Sequence, residues 1–267
     1  MNYDAFIFDV DGVLIDTSKS FSSAVIYAVE IETESTQFQM HEYISLKNIS
    51  GFNNDWDVAI AGVAWIKFYK LSTFESFLEL IIHEGDGFNS LTAKTPGITD
   101  SLVQDVSRLA MEAYGGINAC ELLYGFKPKS IQIEGMWKNE IPLIKNSEIK
   151  KILPISAIVT GRNSNEMELG FQILDWTLPN SRVAVSDNPK LDKPNPLKLI
   201  QIIDELNSED PIYFGDSIDD YLLVQNFNDQ SEIQIKFCCV GKNTVIPECD
   251  YRVDDIMEYF RKYGVRS

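Results

Sequence analysis

The chain opens with Ala5-Phe6-Ile7-Phe8-Asp9-Val10-Asp11-Gly12-Val13-Leu14-Ile15-Asp16-Thr17, an apolar run that stops at two carboxylates spaced i, i+2 and followed at once by glycine. A short apolar run bounded by a turn signal reads as a strand buried on both faces, the kind found in parallel sheets. Its acids then lie at the carboxyl end of the strand, where open α/β sheets place their ligands. Burying one carboxylate there is costly, and burying two is worse unless a cation or a reaction requires them. The plain alternative is an N-terminal strand followed by a solvated acidic turn.

The rest of the chain divides into two textures. From about 18 to 148 the apolar residues recur at helical spacing, as in Phe21, Val25, Ala28 and Val29, then Trp56, Ile60, Val63 and Ala64, and later Leu102, Val106, Leu109 and Ala110. Glycine-bearing breaks fall at Ser50-Gly51, Gly85-Asp86-Gly87, Pro96-Gly97 and Gly115-Gly116. The aromatic stripe Trp56, Trp65, Phe68 and Tyr69 reads as helix-bundle core rather than a ligand box. After about 150, strand-like runs at 155–159, 182–185, 211–214 and 235–240 alternate with helical segments near 165–174, 196–206 and 219–226. Such alternation means a parallel sheet with helices on both faces. The expected architecture is a doubly wound α/β core from residues 1–17 and 149–267, with a helical domain, 18–148, inserted after the first strand.

Three further strand ends in that core carry chemistry-competent residues. Ile158-Val159-Thr160-Gly161-Arg162 puts a hydroxyl at the end of the second core strand, although a turn or helix-capping threonine reads the same way. Asp192-Lys193-Pro194 supplies a lysine before a helical segment; an exposed loop lysine is the bland reading. Tyr213-Phe214-Gly215-Asp216-Ser217-Ile218-Asp219-Asp220 ends a strand in an acidic cluster, which also suits a helix N-terminus. A doubly wound sheet brings all four strand ends to one edge. Hard carboxylate oxygens there suit Mg²⁺, and lysine and threonine donors suit phosphoryl oxygens.

The order DxDGVLxDT, VTGR, KP and GDSxDD resembles the haloacid dehalogenase-like superfamily, in its phosphatase-like branch with a helical cap between the first two motifs. The resemblance covers residues 5–17 and roughly 150–245. It implies Asp9 as nucleophile and Asp11 as the acid and base that protonates the leaving oxygen and later activates water. It implies Thr160 and Lys193 as holders of the phosphoryl oxygens. Gly161 and Arg162, beside Thr160, join them as substrate-binding candidates. It further implies Mg²⁺ held by Asp9, Asp216 and the Asp11 main-chain carbonyl, with Asp220 orienting metal-bound water and Asp219 competing for that role. The implied activity is hydrolysis of a small phosphorylated metabolite through an aspartyl-phosphate. A phosphosugar mutase and a non-catalytic binding protein on the same fold are the alternatives. In the inserted region, the polar segment Lys47–Trp56, with Asn53 and Asn54, is the candidate for reading the leaving group, against a helix-linking loop in which asparagine caps the next helix.

Composition narrows the partners. A net charge of −17 opposes nucleic acid as a main partner, because phosphate backbones want a basic surface. An acidic protein that handles an anionic substrate needs local positive charge from a metal and a few placed cations. The four cysteines show no metal-ligand spacing and suit a reducing compartment. With no uninterrupted apolar stretch of ~18 residues and no leader before the first strand, the chain is expected to be cytoplasmic and free of the membrane. Nothing in the pattern specifies an oligomeric state.

Overall fold

In the computed structural model, residues 3–49, 51–52, 54–70, 72–84, 87–241, 246 and 249–264 are described. The chain forms two compact units, Met1–Asp16 with Ile141–Ser267, and Thr17–Glu140. Residues 141–148 thus belong with the α/β unit. Its strands are β1 (Ala5–Phe8), β2 (Ile15–Asp16), β3 (Ile141–Pro142), β4 (Ser156–Val159), β5 (Val183–Ala184), β6 (Pro211–Gly215), β7 (Lys236–Val240) and β8 (Tyr251–Val253). Six of them form one parallel sheet in the order β5-β4-β1-β6-β7-β8. In chain order of those six this is 3-2-1-4-5-6, the doubly wound arrangement whose ligand crevice opens where the winding reverses, between β1 and β6. The two remaining strands pair antiparallel, Ile15 with Pro142 and Asp16 with Ile141, and so draw 141–142 to the chain that leaves β1.

Strand alternation sorts the sheet's side chains between two cores. Phe6, Phe8, Ile158, Ile212, Phe214, Cys238 and Val240 enter one cluster, and Ile7, Ala157, Val159, Tyr213, Phe237 and Cys239 enter the other. Apolar residues on both faces explain why these strands read as continuous runs in the sequence.

The unit Thr17–Glu140 is built from α1 (Phe21–Thr33), α2 (Met40–Lys47), α3 (Asp55–Phe68), α4 (Phe74–Glu84), α5 (Gly87–Lys94) and α6 (Asp100–Tyr124). In the other unit α7 (Asn146–Ile152), α8 (Ser164–Leu174) and α11 (Ile256–Tyr263) line the first core, while α9 (Leu197–Leu206) and α10 (Ile218–Asn228) line the second. Among the described residues no helix is long and apolar enough to cross a membrane.

In the helical unit α1, α3 and α6 pack on one another. The buried stretch of α3 is Val58–Ala64, largely small residues, which let α1 approach closely. The aromatic stripe expected to form this core lies at its margin: Phe68 is 42% exposed, and Trp56, Trp65 and Tyr69 are half-buried. Trp65 and Tyr69 nonetheless pack against buried Phe74 and Phe77 of α4, with ring centroids 4.9 and 5.1 Å apart. A second aromatic group forms around buried Tyr114, whose ring stacks on Phe21 at 4.2 Å and whose hydroxyl donates to buried Glu140 at 2.8 Å.

The expected break at Gly115-Gly116 is a kink inside α6. Gly116 has φ 57° and ψ −165°, a conformation essentially restricted to glycine. A Cβ there would stand 2.2 Å from the Gly135 nitrogen. Gly125, at the end of α6, has φ 75° and open space around it. Gly116→Ala is therefore expected to lower unfolding stability by about 2 kcal/mol or more, and Gly125→Ala by about 1 kcal/mol. Denaturant titration of both variants checks this; equal losses would contradict it.

Candidate active site

The site begins where β1 ends. Phe8 pairs with Ile158 on β4 and with Phe214 on β6, and the Asp9 N–H continues the ladder by donating to the Phe214 carbonyl at 2.9 Å. In-register parallel strands deliver the residues just beyond these partners to one edge: Asp9 from β1, Thr160 from β4 and Asp216 from β6. After β1 the chain turns tightly, with Leu14 and Ile15 both donating to the Val10 carbonyl and Gly12 donating to that of Ile15. Gly12 has φ 74°, and a Cβ on it would lie 2.1 Å from Asp216 Oδ2. Glycine at this position is what lets the Asp216 carboxylate lie against the turn.

Lys193 enters from the loop before α9 and is 6% exposed along its side chain. Its Nζ lies 2.7 Å from Asp9 Oδ1 and 2.6 Å from Asp220 Oδ1. Asp220 is fully buried and heavily engaged. Its Oδ1 also accepts from the Tyr213 hydroxyl at 2.8 Å, and its Oδ2 accepts from Ser217 Oγ at 2.6 Å and Ser217 N at 3.2 Å. Ser217 in turn accepts from the Asp220 N–H, so the pair closes a capping box at the start of α10. The capping alternative for this cluster is realised, and the side chain that makes the cap is the one that holds Lys193.

Thr160 is buried, and its Oγ1 accepts from the Arg162 N–H at 3.1 Å, which shapes the turn after β4. Gly161 is exposed at that turn. Arg162, expected to face an anionic substrate, is instead turned inward and 1% exposed. Its Nε and Nη2 donate to Asp11 Oδ1 at 2.9 and 2.7 Å, and its Nη1 reaches the Glu166 carbonyl at 3.4 Å. The inward turn follows from the start of α8, where Asn163 and Glu166 form a reciprocal capping box and fix the backbone just after the arginine. In the helical unit, exposed Asn54 caps α3 by accepting from the Trp56 N–H at 3.0 Å, so the capping alternative describes its side chain. Asn53 and Ser50 lie outside the described residues.

Asp9, Asp216 and Asp220 each offer an oxygen within 4.8 Å of the others, while Asp219 stands outside this group. Burial, then the neighbouring Asp220, pushes Asp9 up to about 7, against the pull of Lys193. Asp216 is raised well above the carboxylate range by burial and then by Asp9 and Asp220. Burial opposes the Lys193 charge, yet Asp220 and Asp9 more than reverse this and hold the lysine above its ordinary value. Three gathered carboxylates with one ammonium leave an excess of negative charge in a place with little water. Protons or a hard cation relieve it, and an all-oxygen donor set of this kind fits Mg²⁺.

No family model matches the sequence, and no curated protein matches it. Solved structures do. Phosphatase Tt82 from Thermococcus thioreducens aligns with a TM-score of 0.68 at 21% identity, over 97% of this chain and 99% of that one. A protein of Lactobacillus delbrueckii subsp. bulgaricus, assigned by prediction as a phosphoglycolate phosphatase, aligns with a TM-score of 0.65 at 19% identity, over the whole of both chains. A hydrolase from Pseudomonas syringae gives 0.57 at 15% identity, over 96% of each. At these identities the likeness is one of fold, and it extends from end to end, helical unit included. The chain thus shares the α/β fold of these phosphatase and hydrolase structures, with its parallel sheet of order 3-2-1-4-5-6 and the strand-end motifs seated on the sheet's edge.

Proposed function

We propose that the chain is a Mg²⁺-dependent phosphatase that hydrolyses a small phosphate monoester through an aspartyl-phosphate on Asp9. The observation that carries this reading is the Lys193 ammonium, seated between buried Asp9 and Asp220 beside Asp216. A carboxylate nucleophile is repelled by a phosphate dianion unless that field is cancelled, and this lysine stands where the cancellation is needed. A dehalogenase needs neither Asp11 nor the carboxylate group.

Asp9 attacks phosphorus in line; its new P–O bond forms as the bond to the leaving oxygen breaks. Asp11 gives that oxygen its proton and then takes one from the water that attacks the acyl phosphate, releasing phosphate and the Asp9 carboxylate. Thr160 and Lys193 hold the non-bridging oxygens and exclude water from them. Asp9 and Asp216 hold the cation, while Asp220, whose oxygens already accept from Lys193, Tyr213 and Ser217, stands behind them and fixes the lysine. When bound, Mg²⁺ supplies charge neutralisation for the transferred group.

Asp9→Asn is nearly isosteric but cannot form the acyl phosphate. Turnover of p-nitrophenyl phosphate with Mg²⁺ is expected to fall by ~10⁴-fold or more, on the scale for loss of a covalent nucleophile, with thermal unfolding still cooperative. Wild-type turnover in a homogeneous, undeamidated sample would overturn the mechanism.

The raised carboxylates also make a stability prediction. Between the ordinary aspartate value and about 7, the folded metal-free protein binds more protons than the unfolded chain, so its stability falls as pH rises through that window. Mg²⁺ binds the ionised form and is expected to raise the melting temperature more at pH 8 than at pH 5. Calorimetry with and without Mg²⁺ at the two pH values checks the sign; an equal or larger gain at pH 5 would contradict it.

A further inference from the structure

An arginine buried to 1% exposure at the edge of an active site needs a reason, because burying a guanidinium is costly unless its partner is fixed and well placed. The partner here is Asp11, 151 residues away in the sequence, so no local turn dictates the contact. The pair is lopsided. Arg162 is 1% exposed and Asp11 33% exposed along the side chain, so the carboxylate is the member that the pair leaves accessible. Two guanidinium nitrogens fall on the same carboxylate oxygen, Nε at 2.9 Å and Nη2 at 2.7 Å. A third arm is tied to α8 through the Glu166 carbonyl, and a Cβ on Gly170, one turn further on, would stand 3.4 Å from Nη1. The guanidinium is thus gripped by the scaffold on one side and presents a carboxylate outward on the other.

We propose that Arg162 is a positioning residue for Asp11, fixing the carboxylate through Oδ1 so that Oδ2 carries the proton to the leaving oxygen. This rests on the phosphatase reading and sharpens it. With two N–H groups of Arg162 on Oδ1, Oδ2 is the oxygen of Asp11 that is turned toward the leaving group. In the transfer the O–H bond of Asp11 breaks as the proton passes to the departing alkoxide, and Asp11 is left as the carboxylate on Arg162. Loss of the arginine leaves the nucleophile, the lysine and the cation ligands in place, and frees only the acid. Its effect therefore scales with how much the leaving group needs a proton. An alkoxide needs one to depart; p-nitrophenolate does not.

The test is kcat/KM, which reports steps through transfer of the phosphoryl group to Asp9, for glycerol 2-phosphate and for p-nitrophenyl phosphate in wild type, Arg162→Gln and Arg162→Lys. Arg162→Gln is expected to lose about 10²-fold on the alkyl ester and less than about 5-fold on the aryl ester, the first figure being the scale for a misplaced general acid. Arg162→Lys keeps the charge and the stem but lacks the two-nitrogen edge. It is expected to show the same split at about 10-fold on the alkyl ester, and covers the case in which Arg162→Gln does not fold. Equal losses on both esters in a folded variant, or no loss on either, would overturn the role of Arg162 while leaving the phosphatase reading intact. A folded wild type with Mg²⁺ that turns over neither ester would remove the phosphatase reading, and this inference with it.

Discussion

The α/β unit is organised around one ammonium group. Lys193 Nζ, 2.7 Å from Asp9 and 2.6 Å from Asp220, is the buried positive charge that lets these carboxylates share a small space with Asp216. Remove it and the gathered carboxylates lose the ammonium that offsets their charge, and breaking a buried ion pair in this way costs about 3–5 kcal/mol. The lysine is held in turn. Tyr213 reaches up from the second core, and Ser217 closes the turn into α10, so that both oxygens of Asp220 are tied to the scaffold. A flexible four-carbon side chain is thereby given one position, and the carboxylate of Asp9 with it.

That arrangement needs a platform that does not move, and the sheet provides it. Phe8 and Phe214, adjacent on β1 and β6, stack at 5.0 Å between ring centroids directly beneath Asp9 and Asp216 in the chain. Phe6 and Phe260 continue the aromatic packing on the same face. Interiors packed in this way transmit strain rather than absorb it. The carboxylates beyond the strands accordingly approach one another by design of the backbone, and Gly12 supplies the last allowance by giving Asp216 room against the turn. A site built on strand ends holds its groups more closely than one carried on loops alone.

Much of this was legible in the sequence because strand ends announce themselves. Apolar runs broken by Asp9, Thr160 and Asp216 mark the edge directly, and parallel pairing does the rest. Lys193 was legible only through its place in the motif order, since a loop lysine has no periodicity to betray it. Tyr213 was not: within a buried strand, one aromatic residue looks like any other, and its hydroxyl contact with Asp220 depends on the α10 cap. Arg162 is a case in which the residue type is legible and the partner is not. The residue type was right for an anion, but the sequence shows no trace of which anion, and the one it meets is Asp11. The two-residue ladder of β2 and β3 is too short to carry a pattern, so the inserted region's end could not be placed from hydrophobicity alone. In α3 the buried contact is made by Ile60, Val63 and Ala64, which the helical spacing marks, and by Val58, Ala59, Ala61 and Gly62, which it does not. Small side chains signal close packing weakly, because they look alike in any environment.

If phosphoryl transfer passes through the carboxylate of Asp9, the acyl-phosphate intermediate can be caught. Wild-type protein turning over a phosphate ester with Mg²⁺ is quenched in acid, which preserves acyl phosphates, and treated with borohydride, which reduces them to alcohols. Peptide mass spectrometry then locates the reduced residue. Homoserine is expected at position 9 and at no other aspartate. Homoserine at another position, or none at all from protein quenched during active turnover, would contradict it.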